Sequence, residues 1–148
     1  MSLEAKLTTD LKTAMKAKDD ATKRGIRAIK AQILLAKTDG SGKALDEAAE
    51  IKILQKLVKQ RKDSLAIYEE QGREDLAKIE SEEITVIEKY LPKQMDTAAL
   101  TVFLKEVIAK TGASSMKDMG KVMGMASKQL AGKADGKTIS TIVKQLLG

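Results

Sequence analysis

Cysteine, histidine and tryptophan are absent from the 148 residues, and Pro92 is the single proline. Without Cys or His there can be no disulfide, Cys/His zinc site, thiol nucleophile or Ser-His-Asp triad. Aromatics amount to 2%, namely Tyr68, Tyr90 and Phe103. A core must therefore come from Leu, Ile, Val, Met and Ala, a palette that suits helices better than sheets. No apolar run approaches the roughly 20 residues of a membrane span, and no signal-peptide pattern is read at the N-terminus. The expectation is a soluble, cytoplasmic protein with no metal, no cofactor and no membrane contact. Hydrophobic residues make up 43%, enough for a core in one domain or two small ones.

Charge is unevenly distributed. The net charge is +6, and residues 1–93 hold 19 basic and 17 acidic side chains, close to balance. Residues 94–148 hold eight basic side chains against only Asp96, Glu106, Asp118 and Asp135. A small basic body of this kind fits an anionic partner such as RNA, and it also fits a plain solubility device.

The hydrophobic period is helical throughout. Ser2 caps a first helix carrying Leu3, Leu7, Leu11, Ala14 and Met15, and Asp19 or Asp20 caps a second with Ile26, Ile29, Ile33 and Ala36. A loop signal follows at Asp39-Gly40-Ser41-Gly42. Asp46 then caps a helix of about 25 residues with Ile51, Leu54, Leu57, Val58, Leu65 and Tyr68, stopped by Gly72. Leu76, Ile79, Ile87 and Leu91 mark a fourth helix, with Glu80, Glu82, Glu83 and Glu88 mostly on its outer side. Pro92 must end that helix, because it removes a hydrogen bond and restricts Leu91. Three shorter helices follow: Leu100 to Ile108, ended by Gly112; 116–131, ended near Gly132; and one after Asp135-Gly136 with Ile139, Ile142, Val143, Leu146 and Leu147. The expected fold class is all-α, a helical N-terminal domain over 1–91 followed by a small three-helix C-terminal bundle over 97–148.

Several chemical look-alikes fail. Gly132-Lys133-Ala134-Asp135-Gly136-Lys137-Thr138 has three residues between its glycines where a P-loop needs four, and no strand precedes it. Ser114-Ser115-Met116-Lys117 has Ser-x-x-Lys spacing without the companion motifs, so helix capping explains it better. The glutamates at 80, 82, 83 and 88 read as a solvated face. No catalytic constellation survives.

Helix 116–131 carries the most information. At about 100° per residue, Met116, Met119, Val122, Met123, Ala126 and Leu130 share one arc facing a core. Lys117, Lys121 and Lys128 fall nearly opposite. Between them runs a strip of small residues, Gly120, Gly124, Ser127 and Ala131. Each interior glycine costs roughly 1 kcal/mol against alanine, so a close approach by another backbone should compensate. That backbone is either a neighbouring helix or a sugar-phosphate chain. Lys133, Gly136 and Lys137 follow at the start of the last helix, where free N–H groups and the positive dipole end favour anions. With so few aromatics, RNA would be met through shape and phosphates, not through base sequence.

Tyr90-Leu91-Pro92-Lys93-Gln94, Met119-Gly120-Lys121-Val122-Met123-Gly124, Gly132-Lys133-Ala134-Asp135-Gly136 and Ile142-Val143-Lys144, in that order, resemble the GatB/YqeY family. Gly72-Arg73-Glu74-Asp75-Leu76-Ala77 resembles its N-terminal half. The resemblance implies a standalone YqeY-type protein, all-helical, whose second domain is similar to the tail of the B subunit of glutamine-dependent tRNA amidotransferase. In that enzyme the tail helps hold tRNA, and the chemistry occurs in other domains. Carried over, the tRNA-facing residues are Lys117, Gly120, Lys121, Gly124, Lys128, Lys133, Gly136 and Lys137. The leading functional expectation is a tRNA-binding accessory protein, non-catalytic by itself. Two alternatives stand beside it: a protein-interaction module docking on a larger assembly, and a component of a carbon–nitrogen ligase complex with glutamine as amide donor.

Overall fold

The computed structural model describes residues 2–40 and 45–148. Every regular element among them is helical: α1 (Leu3–Ala17), α2 (Asp20–Lys37), α3 (Glu47–Glu70), α4 (Glu74–Glu88), α5 (Thr97–Thr111), a 3₁₀ turn (Met116–Asp118), α6 (Met119–Gln129) and α7 (Gly136–Leu147). Helix starts follow from side-chain caps. Ser2 accepts from the N–H of Ala5, Asp19 from Thr22, Asp46 from Ala49 and Asp96 from Ala99, at 2.7–3.2 Å. Gly72 and Gly112 both adopt φ +68°, the left-handed conformation that lets the chain leave α3 and α5. Of the loop signal after α2, Asp39 and Gly40 form a bend, and Ser41 and Gly42 lie outside the described residues.

The helices pack as two compact units, Met1–Leu91 and Pro92–Gly148. In the first, α4 lies against both α2 and α3, and α1 packs on α2. Leu7, Ile26, Ile29 and Ile87 are fully buried, each contributing about 1.5–3 kcal/mol by leaving water. Because α4 touches two helices, its buried arc is wide and takes in Ile84 and Val86 as well as Ile87, while Ile79 is exposed. The α4 glutamates form no freely solvated face. Glu82 accepts from Arg24 at 2.8 Å and Glu83 from Arg61 at 3.4 Å, tying α4 to α2 and α3, and Glu88 lies 3.8 Å from Lys62. Tyr90 donates to Asp10; burial first, and that hydrogen bond second, push its hydroxyl well above the usual tyrosine pKa.

The second unit is built from α5, α6 and α7 around Leu100, Leu104, Val107, Val122, Ala126, Leu130, Ile139, Ile142 and Val143. Helix 116–131 is shorter than its period suggested. Ser115 accepts from Lys117 N–H at 3.3 Å, and Asp118 accepts from the N–H of Ser114 and Ser115. This reciprocal cap holds 116–118 as a 3₁₀ turn, and α6 proper begins at Met119. Met116 is consequently 44% exposed instead of core-facing.

That residues 1–91 and 97–148 fold as separate bodies is a proposal with a direct test. Limited trypsin digestion is expected to cut first near exposed Lys93 or within residues 39–43. Protection of both places would refute it, and early cutting inside α6 would count against the helix there.

Candidate nucleic-acid interface

The eight residues expected to meet tRNA all lie in the second unit, and all eight are exposed. Their placement is not uniform. Lys117 sits in the 3₁₀ turn, whereas Gly120, Lys121, Gly124 and Lys128 lie on α6. Lys133 is in the α6–α7 turn, and Gly136 and Lys137 open α7. Lys121 reaches the neighbouring helix: its Nζ donates to the carbonyl of Thr111 at 3.4 Å. That carbonyl is in the last residue of α5, the negative end of its dipole.

Among the described residues of its own unit, the glycine strip has no partner on its open side. A Cβ built at Gly120 or Gly124 meets nothing within 4 Å, and Ser127 and Ala131 are exposed as well. Of the two backbones that could approach this strip, a neighbouring helix of the same unit is therefore excluded. The strip is a solvent-facing groove in the helix surface, with Val122, Ala126 and Leu130 buried behind it. One consequence is measurable: Gly124→Ala should raise stability by about 1 kcal/mol, and Gly120→Ala, in the first turn, by less. A melting curve checks this, and a loss of stability would mean that the strip is packed after all.

The start of α7 is less open to anions than free helix ends are. Asp135 accepts from the N–H of Thr138 at 2.7 Å, so the chain's own carboxylate already occupies that end. The preceding turn is held in a way the sequence did not reveal. The side-chain amide of Gln94 donates to the carbonyls of Pro92 at 2.8 Å and Gly132 at 2.6 Å. Met95 N–H donates to the carbonyl of Lys133 at 3.0 Å. Two motifs that sequence reading could only place in order, Leu91-Pro92-Lys93-Gln94 and Gly132-Lys133-Ala134-Asp135-Gly136, thus meet in space. No local periodicity signals a bond between residues 38 apart.

The class defined by these features is an all-helical protein with a small basic C-terminal unit whose exposed face combines lysines with bare helical backbone. The chain belongs to the YqeY family, whose model, described as Yqey-like protein, matches residues 4–147. It is similar to Altered inheritance of mitochondria protein 41, mitochondrial, of Kluyveromyces lactis, 35% identical over 136 residues, covering 91% of this chain and 70% of the relative. The protein of the same name from Vanderwaltozyma polyspora is 38% identical over 120 residues, 76% of this chain and 64% of the relative. That from Clavispora lusitaniae is 41% identical over 114 residues, 73% and 66% respectively. The match thus spans about two thirds of the length of these relatives.

These names correct the expectation of a cytoplasmic protein. The relatives are named as mitochondrial, which points to mitochondria instead. The cytoplasmic expectation rested on the lack of a membrane span and of a signal-peptide pattern, and neither distinguishes one internal aqueous compartment from another.

Proposed function

We propose that this chain is a tRNA-binding accessory protein, related to the tail of glutamine-dependent aminoacyl-tRNA amidotransferase and non-catalytic by itself, which contacts RNA through α6 and the α6–α7 turn. The observation that carries the reading is the open glycine strip beside exposed lysines. Glycine at an exposed interior helix position costs about 1 kcal/mol against alanine, and here no contact within the unit offsets it. A phosphate backbone can come closer to bare helix than to helix covered by side chains, and the lysines beside the strip supply the attraction. Such binding depends on phosphates and tolerates changes of base sequence.

The test is what the purified protein carries. An absorbance ratio at 260 and 280 nm reporting bound nucleic acid, followed by pull-down and sequencing that returns tRNA, supports the reading. A clean protein bound stoichiometrically to another polypeptide refutes it in favour of a docking module. Glutamine-dependent activity restored only on mixing with partner subunits would instead make the chain a component of a carbon–nitrogen ligase complex.

A further inference from the structure

The α6–α7 turn runs from Leu130, which caps α6, to Asp135, which caps α7. Of Gly132, Lys133 and Ala134 in this connection, Gly132 is buried, Ala134 packs partly against the core of the unit, and Lys133 alone is exposed. The connection is held from outside. The Gln94 amide uses both hydrogens, one on Pro92 and one on Gly132, while Met95 N–H takes the next carbonyl, that of Lys133. Within the turn, Gly132 adopts φ +78° and Lys133 N–H donates to Leu130 at 2.8 Å. The backbone on both sides of the Lys133 Cα is therefore fixed, while its side chain is exposed.

We propose that Gln94 is a positioning residue: it orders the α6–α7 turn so that Lys133 reaches a phosphate, a contact whose gain does not cover the cost of ordering a loose loop on binding. The inference rests on the tRNA-contact reading and deepens it. Ordering a loop on association subtracts from affinity, and a loop ordered beforehand avoids that loss. Neither Pro92 nor Gln94 carries charge, so their part in binding would be through geometry alone.

The test uses the full chain and an unmodified tRNA transcript, with binding followed by fluorescence anisotropy over a salt series. Gln94→Met keeps length and neutrality but removes both donors. It should weaken binding about eightfold at 0.1 M salt and flatten the log–log salt slope by about 0.9, the counterion-release share of one phosphate contact. Lys133→Ala should do the same. The double variant should bind no worse than either single one, because both changes remove the same contact. A purely structural role would lower the melting temperature and leave the slope at the wild-type value. If wild type binds and Gln94→Met binds equally well, or if the two losses multiply, the positioning role is overturned while the tRNA reading stands. If wild type fails to bind, or Lys133→Ala changes neither affinity nor slope, the assignment of this turn to tRNA is overturned, and the role of Gln94 with it.

Discussion

Replacing Lys117, Lys121, Lys128 and Lys133 together with Glu is expected to abolish tRNA binding while the protein stays folded. All four side chains are exposed, and exposed substitutions usually change stability by about half a kcal/mol or less. Lys121 is the exception to watch. Its replacement sets an anion at the C-terminal end of α5, where Thr111 now receives an ammonium, at a cost of about 0.3–1 kcal/mol. The wild-type contact should weaken with a log–log salt slope of roughly -3 to -4, the signature of about four neutralised phosphates. Between about 50 and 200 mM salt that is a loss of about a hundredfold. Four reversals take the net charge from +6 to -2, so a control must carry the same change elsewhere. Lys12, Lys52, Lys56 and Lys59 are exposed in the first unit, and their reversal to Glu should leave most of the binding. Gly124→Leu supplies the steric counterpart: it removes no charge, its Cβ meets nothing within 4 Å beyond the backbone of its own helix, and it should block close approach by bulk. Equal binding by wild type and the α6 quadruple variant at matched salt would eliminate this face as the RNA contact.

Helix positions were legible because they depend on neighbours in sequence. Asp46 and Asp96 announce α3 and α5 by capping them, and Gly72 and Gly112 end α3 and α5 with a backbone angle that other residues resist. Packing was less legible because it depends on which helix lies opposite. A single stripe on α4 predicted Ile79 and Ile87, but contact with both α2 and α3 buries Ile84 and Val86. The same geometry turns its glutamates into partners for Arg24 and Arg61. At the candidate interface, exposure of the lysines followed from the helical period of α6 and the turn after it. The Gln94 bond to Gly132 did not, since it depends on where two loops meet.

Glycine gives the sharpest contrast between the two kinds of information. Small residues at 120 and 124 suggested close approach, and among the described residues of their unit nothing approaches them. The glycine that admits a neighbouring helix is Gly25, inside a sequence, Thr22-Lys23-Arg24-Gly25-Ile26, that carries no visible strip.

Gly25→Ala is accordingly expected to destabilise the first unit, the opposite of its effect at position 124. A Cβ at Gly25 would stand 2.5 Å from Cγ1 and 2.7 Å from Cβ of Val86. Val86 is 5% exposed and has little room to yield, with Ile84 and Ile87 of the same helix buried beside it. Arg24 adds a second restraint by holding Glu82 of α4 from the adjoining position. Overpacking of a core costs about 1–3 kcal/mol, against about 1 kcal/mol gained by removing a helical glycine. The net loss should reach up to about 2 kcal/mol, or up to about 8–16 °C in melting temperature for a unit of this size. Val86→Ala alone should also destabilise, because it opens a cavity between α2 and α4. Combined with Gly25→Ala, the added methyl fills part of that space, so the double variant should be more stable than the sum of the two losses predicts. Thermal melts of the two single variants and the double variant measure this coupling. If Gly25→Ala melts at or above wild type, α2 and α4 are not in the close contact that the packing of this unit requires.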